Sequence, residues 1–182
     1  MSNPRRRKIV LNDDDIDRAS ARIAYEIIER EKGIEDLVLL GIPTRGVTLA
    51  DRLTQKIAQI TGEQLESGSL DTTMYRDDLA DQPMRAPHPT NIPPGGIDGR
   101  TVVLVDDVLY TGRTIKAALD ALFDIGRPSR VRLAVLVDRG HRELPIRPDF
   151  VGKNLPTSRS ETVTINFVEN DGDDEVIIVE EA

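Results

Sequence analysis

Apolar positions recur along the chain first at helical spacing and then in short continuous runs. Ile16, Ile23 and Ile27 mark one face of a helix predicted over Asp13 to Glu31, with Asn12 as its N-cap and Gly33 closing it. Leu37 to Leu40 is a compact apolar run of strand length. Gly41-Ile42-Pro43-Thr44-Arg45-Gly46 turns the chain, and Val47, Ala50, Leu53 and Ile57 stripe a second helix. Ser69 to Met74 reads as a further short strand. Val102 to Val105 is apolar throughout, as in a strand buried on both faces, and a helix with Ile115, Ala118, Leu119, Leu122 and Phe123 on one side follows it. Gly126 and Pro128 end that helix, Val131 to Val137 reads as a core strand, Thr162 to Val168 alternates like a half-buried edge, and Val176 to Val179 supplies a last strand. Strands alternating with helices predict an α/β fold, a single domain over residues 1–182 whose mostly parallel central sheet is flanked by helices. Such sheets bind ligands beyond the carboxyl ends of their strands.

Two stretches depart from this rhythm. From Tyr75 to Gly99 the chain turns to Asp, Arg, Pro and Gly with five prolines, which predicts a long surface loop. From Glu169 onward there are seven acids and no base, so of the chain's 32 acids 25 remain to face 24 Lys and Arg in the body. The net charge of −8 is therefore a property of the end, and residues 169–182 read as an acidic, solubilising segment. No apolar run reaches the length of a membrane span and no secretory apolar region follows Met1, so a cytoplasmic protein with no membrane partner is expected. Zero cysteines exclude disulfides and thiolate chemistry, and two histidines cannot make a structural zinc site.

The candidate chemistry lies in Val102 to Thr114, where a buried strand runs into Asp106-Asp107-Val108-Leu109-Tyr110 and a Thr111-Gly112-Arg113-Thr114 turn opens a helix. A helix N-terminus presents backbone amides and a positive dipole end, a natural seat for phosphate. Gly112 lets the backbone come close, and Thr111 and Thr114 add hydroxyls, Thr114 also as a possible cap. Carboxylates beside a phosphate would repel it unless they accept sugar hydroxyls or act through a divalent cation, which assigns Asp106 and Asp107 to ribose or metal. Neither Gly-x-x-x-x-Gly-Lys-Ser/Thr nor Gly-x-Gly-x-x-Gly occurs. Arg45, at the other strand end, suits bidentate contact with phosphate oxygens.

Matched along all thirteen residues, Val102 to Thr114 resembles the phosphoribosyl-pyrophosphate (PRPP) motif of the type I phosphoribosyltransferases. The resemblance implies their fold, with a flexible catalytic loop over residues 75–99 and a small hood. It also implies that Asp106 and Asp107 take the ribose hydroxyls, and that the turn through Thr114 takes the 5′-phosphate. By the same resemblance Thr44, Arg45 and Gly46 form the pyrophosphate loop. Tyr75-Arg76-Asp77-Asp78 opens the catalytic loop, with Arg76 and Arg85 as pyrophosphate contacts.

The Gly-Ile-x-Thr-Arg-Gly turn, the Tyr-Arg-Asp-Asp-Leu loop, the PRPP segment and Asp138-Arg139-Gly140-His141-Arg142-Glu143-Leu144-Pro145-Ile146-Arg147 together resemble a narrower group, in order along nearly the whole chain. This is the bifunctional pyrimidine operon attenuator/uracil phosphoribosyltransferase family. From Arg139 to Arg159 the chain carries five Arg or Lys and His141 against Glu143 and Asp149, which by composition is ordinary ion-paired surface. The resemblance turns this strip toward RNA through His141, Arg142, Arg147 and Lys153, and sets Val137, Asp138, Arg139 and Val163 around the uracil. Where that family's first helix offers a threonine and a histidine to RNA, this chain has Ala21 and Tyr25, the latter either a stacking residue or the edge of the core.

The implied reaction joins uracil and PRPP into UMP and pyrophosphate, with Mg²⁺ held mainly through substrate and Asp106 and Asp107 as its protein ligands. Asp107 or Asp78 would assist proton movement at the base. Implied partners are UMP or UTP, a pyrimidine operon leader RNA, and further copies of the chain in a homodimer or larger homo-oligomer. Two alternatives stay open at this point: an RNA-binding regulator with a vestigial nucleotide-sensing site, and a transferase for another base.

Overall fold

A computed structural model describes residues 6–77 and 89–180. Asp78 and Arg85 lie outside the described residues. The elements in chain order are β1 (Arg7–Leu11), α1 (Asp13–Glu31), β2 (Leu37–Gly41), α2 (Arg45–Thr61), β3 (Glu66–Ser69), a 3₁₀ turn (Thr73–Tyr75) and β4 (Thr101–Leu109). There follow α3 (Arg113–Ile125), β5 (Arg130–Asp138), β6 (Phe150–Asn154), β7 (Glu161–Asn166), α4 (Val168–Asp171) and β8 (Glu175–Glu180).

Five strands pair in the order β3-β2-β4-β5-β6, every pair parallel, and β1, β8 and β7 form a separate antiparallel sheet. The apolar runs of the central strands divide by alternation. Leu37, Leu39, Val103 and Val105 join the core under α1 and α2, while Val38, Leu40, Val102 and Leu104 join the core under α3. This two-sided burial is why those strands are apolar at every position.

α1 begins where the sequence predicts, with a reciprocal capping box. Asp15 N–H donates to Asn12 Oδ1 at 2.9 Å and Asn12 N–H to Asp15 Oδ2 at 3.0 Å. It also ends at Glu31 as predicted, but Lys32 rather than Gly33 is the cap residue, in the left-handed conformation. Ser69 to Met74 is not a strand. Its strand lies earlier as β3, and the segment continues through Leu70 into the 3₁₀ turn. Phe123, expected in the buried stripe of α3, is 56% exposed, and Ala117 and Ala121 take its place in the core.

The acidic end is built into the fold, in correction of its reading as a solubilising segment. α4 and β8 come from it, and Glu169, Asp171, Asp174 and Glu175 all form ion pairs with arginines.

Candidate active site

The expected strand of four residues is a strand of nine. β4 pairs with β2 only as far as Val105, opposite Gly41, and then continues beside β5, with Asp106 opposite Val135 and Val108 opposite Val137. The acidic pair thus lies inside β4, where one neighbour has ended, rather than after it. Each carboxylate takes up a following amide: Asp107 N–H donates to Asp106 Oδ1 at 2.9 Å and Val108 N–H to Asp107 Oδ1 at 2.8 Å. Asp106 is buried. Burial pushes its carboxyl well above the usual carboxylate range, the negative charge of Asp107 pushes it further, and the positive charge of Arg76 opposes both.

Beyond Leu109 the chain turns through Tyr110, Thr111 and Gly112 into α3. Gly112 is the N-cap, in place of Thr114, at a φ of 94° that other residues rarely adopt. Thr111 Oγ1 accepts Arg113 N–H at 3.3 Å. The turn borders a cavity of about 330 Å³ that Arg76, Asp106, Thr111, Thr114 and Glu143 help to line. That is the size class of a small-molecule site. Arg113 spans its rim, with Nη1 2.7 Å from Asp77 and Nε 3.2 Å from Glu143. Tyr75 Oη donates to Asp124 at 2.7 Å, fastening the residues before Asp77 to α3.

The 138–146 segment is tied to this turn from behind. Thr111 O accepts Glu143 N–H at 2.9 Å and Leu144 N–H at 3.2 Å. Arg142, expected to face RNA, instead donates inward to Tyr110 O at 2.6 Å, Ile146 O at 2.7 Å and Asp138 Oδ2 at 2.8 Å. His141, assigned to the same face, donates from Nε2 to Thr157 O and meets the Tyr110 ring edge-on. Arg147 and Lys153 are exposed.

Of the residues assigned to the base, Val137 is fully buried in the core and Val163 is half-buried against it. Asp138 uses both carboxylate oxygens locally, on Gly140 N–H and on Arg142. Arg139 is buried. It donates to Thr157 Oγ1, Ser158 O and Glu161 O while its guanidinium lies 4.1 Å from the centre of the Tyr110 ring. It thereby links the Tyr110 to Gly112 turn to the start of β7.

Thr44 caps α2, Arg45 is its first residue, and the bond between Pro43 and Thr44 is cis. A Cβ on Gly46 would lie 2.5 Å from Val105 O and 3.2 Å from Asp106 Cα, so only glycine lets α2 start directly against the acidic pair. Arg45 is held side-on by Asp171, with Nε 3.1 Å from Oδ2 and Nη2 2.6 Å from Oδ1.

Sequence reasoning missed Glu143, Asp77 and Asp171 as members of this neighbourhood. Glu143 lay in a strip read for its basic residues and Asp171 in a segment read for its net charge. Asp77 and Glu143 both stood inside motifs that carry the resemblance, whereas Asp171 lay outside every one.

A family model for the phosphoribosyl transferase domain matches residues 8–167. The bifunctional protein PyrR of Streptomyces coelicolor is 66% identical over 169 residues, covering 93% of this chain and 88% of that protein. Its counterpart in Leifsonia xyli subsp. xyli is 61% identical over 178 residues, covering 95% and 97%. A variant hypoxanthine phosphoribosyltransferase of Trypanosoma cruzi, solved as a ternary substrates complex, superposes with a TM-score of 0.73 at 19% identity. The match covers 96% of this chain and 95% of that one, a likeness of fold alone. With its acidic pair, glycine turn and fold all in the expected order, the chain belongs to the phosphoribosyl transferase domain family and, within it, to the bifunctional PyrR proteins.

Proposed function

We propose that this protein transfers the phosphoribosyl group of PRPP to N1 of uracil, giving UMP and pyrophosphate. We further propose that the same pocket, filled with UMP or UTP, adjusts its grip on a pyrimidine operon leader RNA. The observation that carries the first part is the cavity in which Asp106, the Thr111 to Thr114 turn and Arg76 meet. Ribose hydroxyls donate to Asp106 and Asp107, and the 5′-phosphate settles on the amides and hydroxyls of Thr111, Gly112, Arg113 and Thr114. Thr44, Arg45 and Gly46 receive the pyrophosphate together with Arg76 and Arg85, offsetting the charge that grows as the C1–oxygen bond breaks. Val137, Asp138, Arg139 and Val163 border the uracil in this reading, the buried Val137 through its backbone, and Asp107 or Asp78 handles the proton at the base.

Among the described residues, no group of three or more His, Asp or Glu is arranged to hold a metal ion. The acidic pair is the donor set at the site, which fits a Mg²⁺ ion that reaches it bound chiefly to substrate oxygens and water. Such an ion supplies neutralisation of the pyrophosphate charge.

Incubation with PRPP, Mg²⁺ and labelled uracil is expected to yield UMP, with hypoxanthine, guanine and orotate as competing bases. Product with another base only would reassign the specificity, and no product at high protein concentration would reject the transferase reading.

The RNA reading rests on Arg147 and Lys153, whose side chains are exposed, with His141 and Arg142 shaping the segment behind them. Titrating a pyrimidine leader hairpin with and without UMP tests it, and binding indifferent to nucleotide would reject the sensor. An enzyme that makes a nucleotide and reads a transcript works in the cytoplasm, where both occur. Among the described residues no helix is long and apolar enough to cross a membrane. Assembly as a homodimer or larger homo-oligomer is part of the same reading, and light scattering checks it.

A further inference from the structure

Arg45, Thr48 and Arg52 stand at positions i, i+3 and i+7 of α2 and so share one helical stripe. The segment from Phe167 to Asp174 lies along it and pairs with each in turn. Asp171 takes Arg45, Asn170 Oδ1 accepts Thr48 Oγ1–H at 2.7 Å, and Glu169 and Asp174 both take Arg52. Arg52 also stacks over the Phe167 ring, 4.6 Å from its centre. Asp171 is itself fixed, since its Oδ2 accepts Phe167 N–H at 2.9 Å.

The manner of the Arg45 contact matters more than its presence. A guanidinium has five N–H donors in a planar fork, and a side-on partner uses Nε and one hydrogen of Nη2. The terminal edge, Nη1 and the second Nη2 hydrogen, stays available for two oxygens of a phosphate. Asp171 therefore does not compete for the whole group. It holds a long, rotatable side chain in one orientation at the first residue of α2, beside the turn that packs on Asp106 through Gly46. An arginine ordered beforehand loses less freedom when a ligand arrives. The hydrogen bonds to Asp171 hold the Arg45 guanidinium above its usual pKa, and the negative charge of Asp107 adds to this.

We propose that Asp171 is a positioning residue for PRPP, fixing the Arg45 guanidinium side-on so that its terminal edge is ready for the pyrophosphate oxygens. The inference rests on the reading that Arg45 holds pyrophosphate. It makes the C-terminal segment, remote in sequence from every motif, a determinant of PRPP affinity.

Steady-state kinetics with UMP binding as a second readout test both steps. Asp171→Asn keeps the size but weakens the charged pair, and it should raise KM for PRPP about tenfold while kcat stays within about twofold. The Kd for UMP, which has no pyrophosphate, should not change. Asp171→Glu, which can still pair side-on, should recover most of the loss. Thr48→Val breaks the neighbouring contact without touching Arg45 and should leave KM for PRPP unchanged. Arg45→Gln should raise that KM, with no further rise when Asp171→Asn is added.

A lower KM in Asp171→Asn would make Asp171 a competitor and overturn the proposal. An unchanged KM, or an equal rise in Thr48→Val, would overturn it as well. Arg45→Gln with an unchanged KM would instead reject the pyrophosphate reading of Arg45, and the two failures are thus distinct.

Discussion

Asp106 shows how one residue can be expensive for the fold and useful to the site. It stands in a strand whose preceding residues, Val102 to Val105, are all buried, and its carboxyl is taken out of water with them. Burial first, and the charge of Asp107 second, raise its pKa above the ordinary carboxylate value. The folded protein therefore holds this proton more tightly than the unfolded chain does. The stability so conferred is complete below the unfolded pKa and is lost as pH rises through the raised folded value. In buffer free of metal and ligand, Asp106→Asn should gain on the wild type as pH rises from about 4 toward neutrality, read from urea midpoints at each pH. A difference independent of pH would mean that the carboxyl titrates as it does in the unfolded chain. The same variant should lose transferase activity, since an amide puts an NH₂ donor where the carboxylate has its second acceptor oxygen.

The strand–turn–helix unit is the element on which the site depends, and its turn is held at both ends. Gly112 supplies the positive φ, and a Cβ there would lie 3.2 Å from Ile146, which Arg142 secures through its carbonyl. Gly112→Ala should cost about 1–2 kcal/mol of stability from the left-handed backbone alone. It should also weaken UMP binding, because the amides proposed to receive the phosphate follow directly; calorimetric titration together with urea unfolding measures both. This unit was legible in the sequence because each of its parts leaves a side-chain signal: an apolar run, acids, Gly112 in a turn, an amphipathic stripe. The edge strands leave much less. β3 reads Glu-Ser-Gly-Ser and is held by its backbone ladder to β2, and β6, Phe-Val-Gly-Lys-Asn, lay hidden in the basic strip. β1 is mostly exposed and among the described residues pairs only with β8, almost the whole chain away. The contact of Asp171 with Arg45 spans 126 residues, and no local pattern encodes such a separation.

At the scale of the whole molecule the question is how a chain of net charge −8 would hold the RNA proposed for it. Part of the excess negative charge is locally matched, for Glu169 and Asp174 share Arg52, Asp171 takes Arg45 and Glu175 takes Arg7. A basic strip elsewhere on the surface then acts over the short range that salt allows, about 8–10 Å at physiological ionic strength. Within that strip the four assigned residues divide by their contacts. Arg147 and Lys153 extend into solvent, whereas Arg142 is spent on Tyr110, Ile146 and Asp138. An exposed cation that meets one phosphate contributes through counterion release. Arg147→Ala and Lys153→Ala should thus each weaken hairpin binding and flatten the plot of log K against log salt by about one unit. Their stability should stay within about 0.5 kcal/mol of the wild type. Arg142→Met should behave otherwise. It leaves Asp138 half-buried without its cation and frees the segment behind the Tyr110 to Gly112 turn, so urea unfolding should show a clear loss of stability. Any loss of RNA binding should then come with weaker UMP binding and an unchanged salt slope. If Arg142→Met flattened the slope while leaving stability and UMP affinity intact, the guanidinium would be meeting RNA directly, and the inward contacts would have to give way when RNA binds.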